Sequence, residues 1–232
     1  MTHLVFDLIA ALTSIIAGYG VYHFYLRNAI ERTVSRLTPF YFLALSVGSI
    51  GGAYILGTAN LYLSGEFLIG RSILGALFGA IITIEIYKIF KHIKGSTGYM
   101  YVVPFTVIVI IGRLGCFYAG LDDHTYGIIT NVSWAVDFGD GIQRHPVQLY
   151  ESFSMFCFLI ISLLLFKYQT QFFIANGFYL CTGFYAAQRF FWEFLKPYST
   201  WIGGLNIFQV ACLILIIYSL VMIGKVKNGY FT

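Results

Sequence analysis

Three arginines stand where a charge is costly. Arg71, Arg113 and Arg189 fall within stretches otherwise apolar for about 20 residues, the length that crosses a bilayer as helix. Placing a guanidinium there costs at least about 2.5 kcal/mol, so each needs a partner or a purpose. Counted at 1.5 Å per helical residue from the ends of their stretches, all three lie roughly 6 to 10 Å below the same surface. Tyr185, Arg189 and Glu193 recur every four residues and share one helix face, with Gln188 on its flank. Glu151, about four residues into the stretch that follows a long loop, falls in the same slab. The planar fork of arginine binds phosphate bidentately, which explains why Arg and not Lys occupies all three positions. A phosphate head group is the ligand that such a set suits. Plainer alternatives stand beside it: Arg71 snorkels its head to the interface, and Arg189 with Glu193 closes as a structural pair.

Two further segments are dense in polar groups. RHPVQLYE, Arg144 to Glu151, opens a helix at Pro146, whose missing N–H needs no partner in a first turn. It puts Gln148 and Glu151 on one face, with Arg144, His145 and Tyr150 at the helix mouth, or else it is simply a capped helix start. GRLGCFYAGLDDHTYG, Gly112 to Gly127, sets Gly112, Gly115 and Gly120 beside Arg113 and ends in Asp123 and His124. His124 titrates in the physiological range when unperturbed, although a loop histidine is commonly just solvated. The four cysteines form no CxxC pair, so no metal and no cofactor is expected.

The elements that must hold these residues are membrane helices. Only 10% of the 232 residues are charged, against roughly 25% in a soluble domain, and 59% are hydrophobic. That excludes a soluble protein, and basic residues lying between apolar runs exclude a nucleic-acid binder. Seven stretches are long enough to span, near 4–26, 39–57, 67–90, 99–119, 148–167, 172–194 and 206–224. The first carries Asp7, has no basic residue ahead of it, and is expected to be a retained helix. One set of loops and helix ends holds Arg27, Arg32, Arg36, Lys88, Lys91, Lys94, Lys167, Lys225 and Lys227; the other holds only Arg144 and Lys196. The positive-inside rule then places the N-terminus outside and the C-terminus in the cytoplasm. The expected fold is an all-α membrane protein, a polytopic bundle of about seven transmembrane helices forming one domain over 1–232. Its loop at about 120–147 lies on the outer face and is ordered by Trp134, Val136 and Phe138.

These motifs together resemble the prolipoprotein diacylglyceryl transferase family of the bacterial inner membrane. The resemblance rests on GRLGCF with its following glycines, on RHPVQLYE, and on the spacing of Tyr185, Arg189 and Glu193, with a fainter match over Gly70 to Ala80. It implies transfer of a diacylglyceryl group from phosphatidylglycerol to the thiol of a lipobox cysteine in a lipoprotein precursor. It also implies Arg113 and Arg189 on the phosphate, Glu193 orienting Arg189, and Tyr185 bonding the head group. Gln148 and Glu151 would brace the wall, with Arg144 at the entrance. Leu74 stands where the family carries a histidine, Cys116 where it carries an asparagine, and LDDHTYG replaces a shorter acidic turn. His145, His124 or Asp123 is therefore the expected substitute base, and two alternatives remain: a non-lipoprotein acceptor, or a non-catalytic protein that binds anionic lipid.

Overall fold

The computed structural model describes residues 2–229. Seven helical rods account for most of it. The first is α1 (Thr2–Val21), a single π turn (Tyr22–Leu26) and α2 (Arg27–Val34) in series. The others are α3 (Pro39–Leu63), α4 (Ile73–Phe90), α5 (Val102–Ala119), α6 (Val147–Tyr168), α7 (Thr170–Glu193) and α8 (Ile207–Lys227). Six of the rods are long and apolar enough to cross a membrane. The exception is α7, which has the length at 24 residues but also carries Asn176, Thr182, Gln188, Arg189 and Glu193, all of them buried. The expected seventh span is thus a helix that neighbours shelter, and its polar face turns inward instead of toward lipid. Exposed Leu, Ile and Phe cover the outside of the other rods, as a bilayer solvent requires.

Short connections at 35–38, 91–98 and 169 lie on one face, which holds the lysines and arginines counted above. Longer ones at 64–72, 120–146 and 194–206 lie on the opposite face. Contacts confirm the alternation: Gly52 of α3 meets Gly75 of α4, and Gly48 meets Gly79, so the two rods run antiparallel. A Cβ on Gly52 would strike the Gly75 carbonyl, which is why this seam is glycine.

Three edges differ from the sequence expectation, the simplest being α3, which runs on to Leu63 instead of ending near 57. The first rod continues past residue 26 to Val34, because RNAIERTV is a good helix outside the apolar core, closed by Arg27 Nε to Glu31 Oε1 at 3.0 Å. The third span begins at Ile73, not at 67: Ser72 caps it, its Oγ accepting from Gly75 N at 3.3 Å. Arg71 therefore lies in the irregular segment ahead of α4 and is exposed.

The long loop is ordered, as its aromatics suggested. β1 (Val136–Asp137) pairs antiparallel with β2 (Gln143–Arg144), and the turn between them is held by Asp137 Oδ1, which accepts from the amides of Gly139, Asp140 and Gly141 at 2.8, 3.1 and 3.0 Å. Gly127 N donates to His145 O at 3.1 Å and Ile128 N to Leu195 O at 2.7 Å, which ties this loop to the start of α6 and to the turn after α7.

Candidate functional site

α5, α6 and α7 bring one cluster together near the long-loop face. Each contributes through a simple local rule. On α5, Gly115 lets the helix close on Phe6 of α1, which turns Arg113 inward, 8% exposed. α6 starts directly after Pro146, so Glu151 arrives one turn inside its first residue, fully buried. α7 presents Tyr185, Arg189 and Glu193 on one face, and the turn that follows carries Lys196 round onto the same side.

Glu151 is the hub. Its Oε2 pairs with Arg113 Nε, both its oxygens accept from Arg189 Nη1 at 2.9 Å, and its Oε1 accepts from Lys196 Nζ at 2.6 Å. Glu193 Oε2 lies 2.9 Å from Arg189 Nε and 3.6 Å from Lys196 Nζ. All five side chains are at most 9% exposed. Among the five described charges paired here, three cations face two carboxylates, a formal surplus of one positive charge in a site without water's dielectric, with Asp123 bordering it through Cys116 and Tyr198. Burial, and then the neighbouring Arg189, hold the Lys196 ammonium below the ordinary lysine range, while Glu151 and Glu193 oppose them.

The cluster is also under-bonded. The Arg189–Glu193 contact is close in charge but not aligned as a hydrogen bond, and neither Glu193 oxygen has a hydrogen-bond partner. The Gln148 and Gln188 amides and the Tyr185 hydroxyl are likewise buried and unpartnered. Buried polar groups are normally satisfied, because each orphan costs on the order of 1–3 kcal/mol. A surplus cation together with orphan donors is the arrangement that accepts an anion with several oxygens.

The remaining sequence-selected residues are placed as follows. Arg144 forms a bidentate pair with Asp140, Nη1–Oδ1 and Nη2–Oδ2 both 2.7 Å, and covers the Tyr126 ring at 5.2 Å. This hydrogen-bonded pairing raises the Arg144 pKa and lowers that of Asp140. Tyr150 is a clamp: Trp134 Nε1 donates to its hydroxyl at 2.6 Å, His145 Nδ1 sits 3.2 Å from the same oxygen, and its ring packs on Trp192 at 5.1 Å. Asp123 accepts from Thr125 Oγ1 and is an electrostatic neighbour of Cys116, whose Sγ takes a contact from Arg113 Nη1 at 3.8 Å. His124 has a positive φ of 54° and is exposed, and its carbonyl accepts from Tyr198 Oη at 2.8 Å. Neither His145, His124 nor Arg71 joins the five-charge cluster among the described residues.

Lys196 was missed because a hydrophilic residue past a helix end reads as a loop charge. The signal was its spacing, three beyond Glu193 and seven beyond Arg189, which continues the polar face of α7.

The sequence pattern of the prolipoprotein diacylglyceryl transferase family matches residues 5–224. The chain is 32% identical over 177 residues to the phosphatidylglycerol–prolipoprotein diacylglyceryl transferase of Campylobacter jejuni subsp. jejuni serotype O:23/36, covering 72% of this chain and 63% of that protein. It is 33% identical over 181 residues to the Campylobacter lari protein of the same name, 73% of this chain and 63% of that one. With the Finegoldia magna protein of that name it shares 31% identity over 164 residues, 68% and 62% of the two chains. The chain thus spans less than two thirds of the length of these relatives. No solved structure matches it.

Proposed function

The chain belongs to the prolipoprotein diacylglyceryl transferase family, and on that footing we propose that it moves a diacylglyceryl group from phosphatidylglycerol to the cysteine thiol of a lipoprotein precursor. The sulfur attacks the glycerol carbon that carries the phosphate ester. An S–C bond forms, the C–O bond breaks, and glycerol phosphate leaves with the electron pair. The thiol proton passes to a base.

The observation that carries this reading is the buried surplus cation around Glu151. The phosphodiester bears one negative charge, which balances that surplus. On leaving, the phosphate gains a second, and Arg113 and Arg189 are the groups to stabilise it as it develops. Glu151 and Glu193 hold the two guanidiniums in register from separate helices. Gln148, Gln188 and Tyr185 supply the uncharged donors for the head-group oxygens. Arginine does not release its proton, so Lys196 is the one cation of the cluster whose charge follows the bound state. The base is His145, Asp123 or His124, all from the loop side where a peptide thiol arrives.

The multi-pass membrane protein sits in the bacterial inner membrane in this reading. Its long-loop face turns outward, because nine basic residues gather at the other face.

Purified protein in lipid nanodiscs, given labelled phosphatidylglycerol and a lipobox peptide, tests the reaction. Label on the peptide cysteine that disappears in Arg189→Ala is the expected result, and wild-type protein that never labels the peptide would overturn it. A second reading keeps the donor and changes the acceptor to a small molecule or another lipid. It is favoured by Leu74, wholly buried at the start of α4 where the family resemblance calls for a histidine. Normal lipoproteins but a missing lipid species in a deletion strain would select it.

A further inference from the structure

A cavity of about 360 Å3 runs along α4 toward the basic face, within the size range of small-molecule sites. Its lining is graded. Ile73, Ala76, Leu77 and Ile108 form the upper end, and Glu85, Lys88, Ser96, Tyr179 and Tyr218 the lower. From Ile73 to Lys88 is about 22 Å of helix by rise per residue. The upper end reaches the depth of the five-charge cluster, yet no member of that cluster lines it.

The lower end is electrically closed but has open hydroxyls. Lys88 Nζ donates to both Glu85 oxygens at 3.0 and 3.2 Å, and Tyr218 Oη donates to Glu85 Oε1 at 2.7 Å. Ser96 Oγ and Tyr179 Oη face each other as weak mutual partners, neither makes a hydrogen bond of ordinary geometry, and Tyr179 is 1% exposed. Lys91 and Lys94 are exposed nearby and do not line the cavity.

This polarity decides the occupant. An acyl chain descending from the outer cluster would end its methyl terminus against a carboxylate and an ammonium, desolvating both without return. A lipid entering from the leaflet at the basic face has the opposite order, head low and chain high, and matches the lining at both ends. The balanced Glu85–Lys88 pair has no surplus charge to recruit an anion, and the volume suits one chain, not two. We propose that this cavity is a second lipid site, taking a single acyl chain from the basic-face leaflet with an uncharged, hydroxyl-bearing head of the monoacylglycerol type on Ser96 and Tyr179. It is independent of the transferase reading.

The test uses the purified full chain in nanodiscs and a photoactivatable monoacylglycerol with a diazirine in its chain, read by peptide mass spectrometry. Crosslinks are expected on Leu77, Ala80 and Ile108. They should fall about tenfold in Ala80→Phe and in Ile108→Trp, which fill the cavity from two different helices, and persist in Arg189→Ala. Unlabelled monoacylglycerol should compete at about tenfold lower concentration than lysophosphatidylglycerol or a fatty acid, and Tyr179→Phe should erase that preference. Crosslinks spread evenly over the lipid-facing helices, or unaffected by both filling variants, would overturn the site. Stronger competition by lysophosphatidylglycerol would overturn the uncharged head. Should both filling variants fail to fold, the competition series on wild type and Tyr179→Phe decides the matter.

Discussion

The bundle buries charge in two places, and they are built differently. Near the long-loop face, Arg113, Arg189 and Lys196 crowd on Glu151 and Glu193, with amides and a tyrosine hydroxyl left unbonded around them. Toward the basic face, one lysine meets one glutamate, with Tyr218 completing the carboxylate's shell. The second arrangement is charge-neutral and joins two residues of a single helix, three apart, with one contact from α8. The first holds an excess cation and joins three helices. A balanced pair in a membrane lowers the cost of its own burial, whereas an unbalanced one with orphan donors is stable only if an anion repays it.

The largest test of that contrast is removal of each carboxylate. Glu151→Ala leaves three cations without their hub and should cost about 3–5 kcal/mol, enough to deplete folded protein in thermal unfolding. Glu85→Ala leaves a single ammonium, on a Lys88 that is 5% exposed, without its carboxylate and should cost less, about 1–3 kcal/mol. Equal losses would erase the distinction between the two sites. Next comes Arg189→Lys, which keeps the charge but not the fork. Transfer to a lipobox peptide should fall on the order of a hundredfold, while the unfolding temperature stays near wild type.

A subtler effect concerns the surplus itself. Lys196→Met brings the cluster to formal neutrality, and phosphatidylglycerol binding should weaken about tenfold. Because the Lys196 pKa is lowered, the extra charge is present at acid pH and is lost as pH rises, at a lower pH than for an ordinary lysine. Lipid binding measured against pH should decline on the alkaline side in wild type and stay flat in Lys196→Arg. The smallest expected effect is Asp140→Asn: it breaks an exposed pair with Arg144 and should leave the unfolding temperature unchanged, as a surface contact apart from both sites would.

Local rules reached far in this chain. Hydropathy marked every rod, with edges off by up to eight residues, and loop charge separated the two faces. A four-residue period put Tyr185, Arg189 and Glu193 on one side of one helix. Where the reading slipped, a neighbour was responsible. Ser72 caps α4 late and leaves Arg71 outside it. α7, expected near 172–194, is more polar than the other spans because other helices cover it.

The sequence by itself determined that this protein lives in a membrane, which residues are buried at a cost, and which of them share a helix face. Those follow from periodicity and transfer energies acting along the chain. Only the tertiary structure decided that Glu151 binds cations from two other elements, that Lys196 turns inward, and that the charges sum to a surplus. Pairing across helices depends on how rods pack and rotate, and no spacing within one rod encodes it.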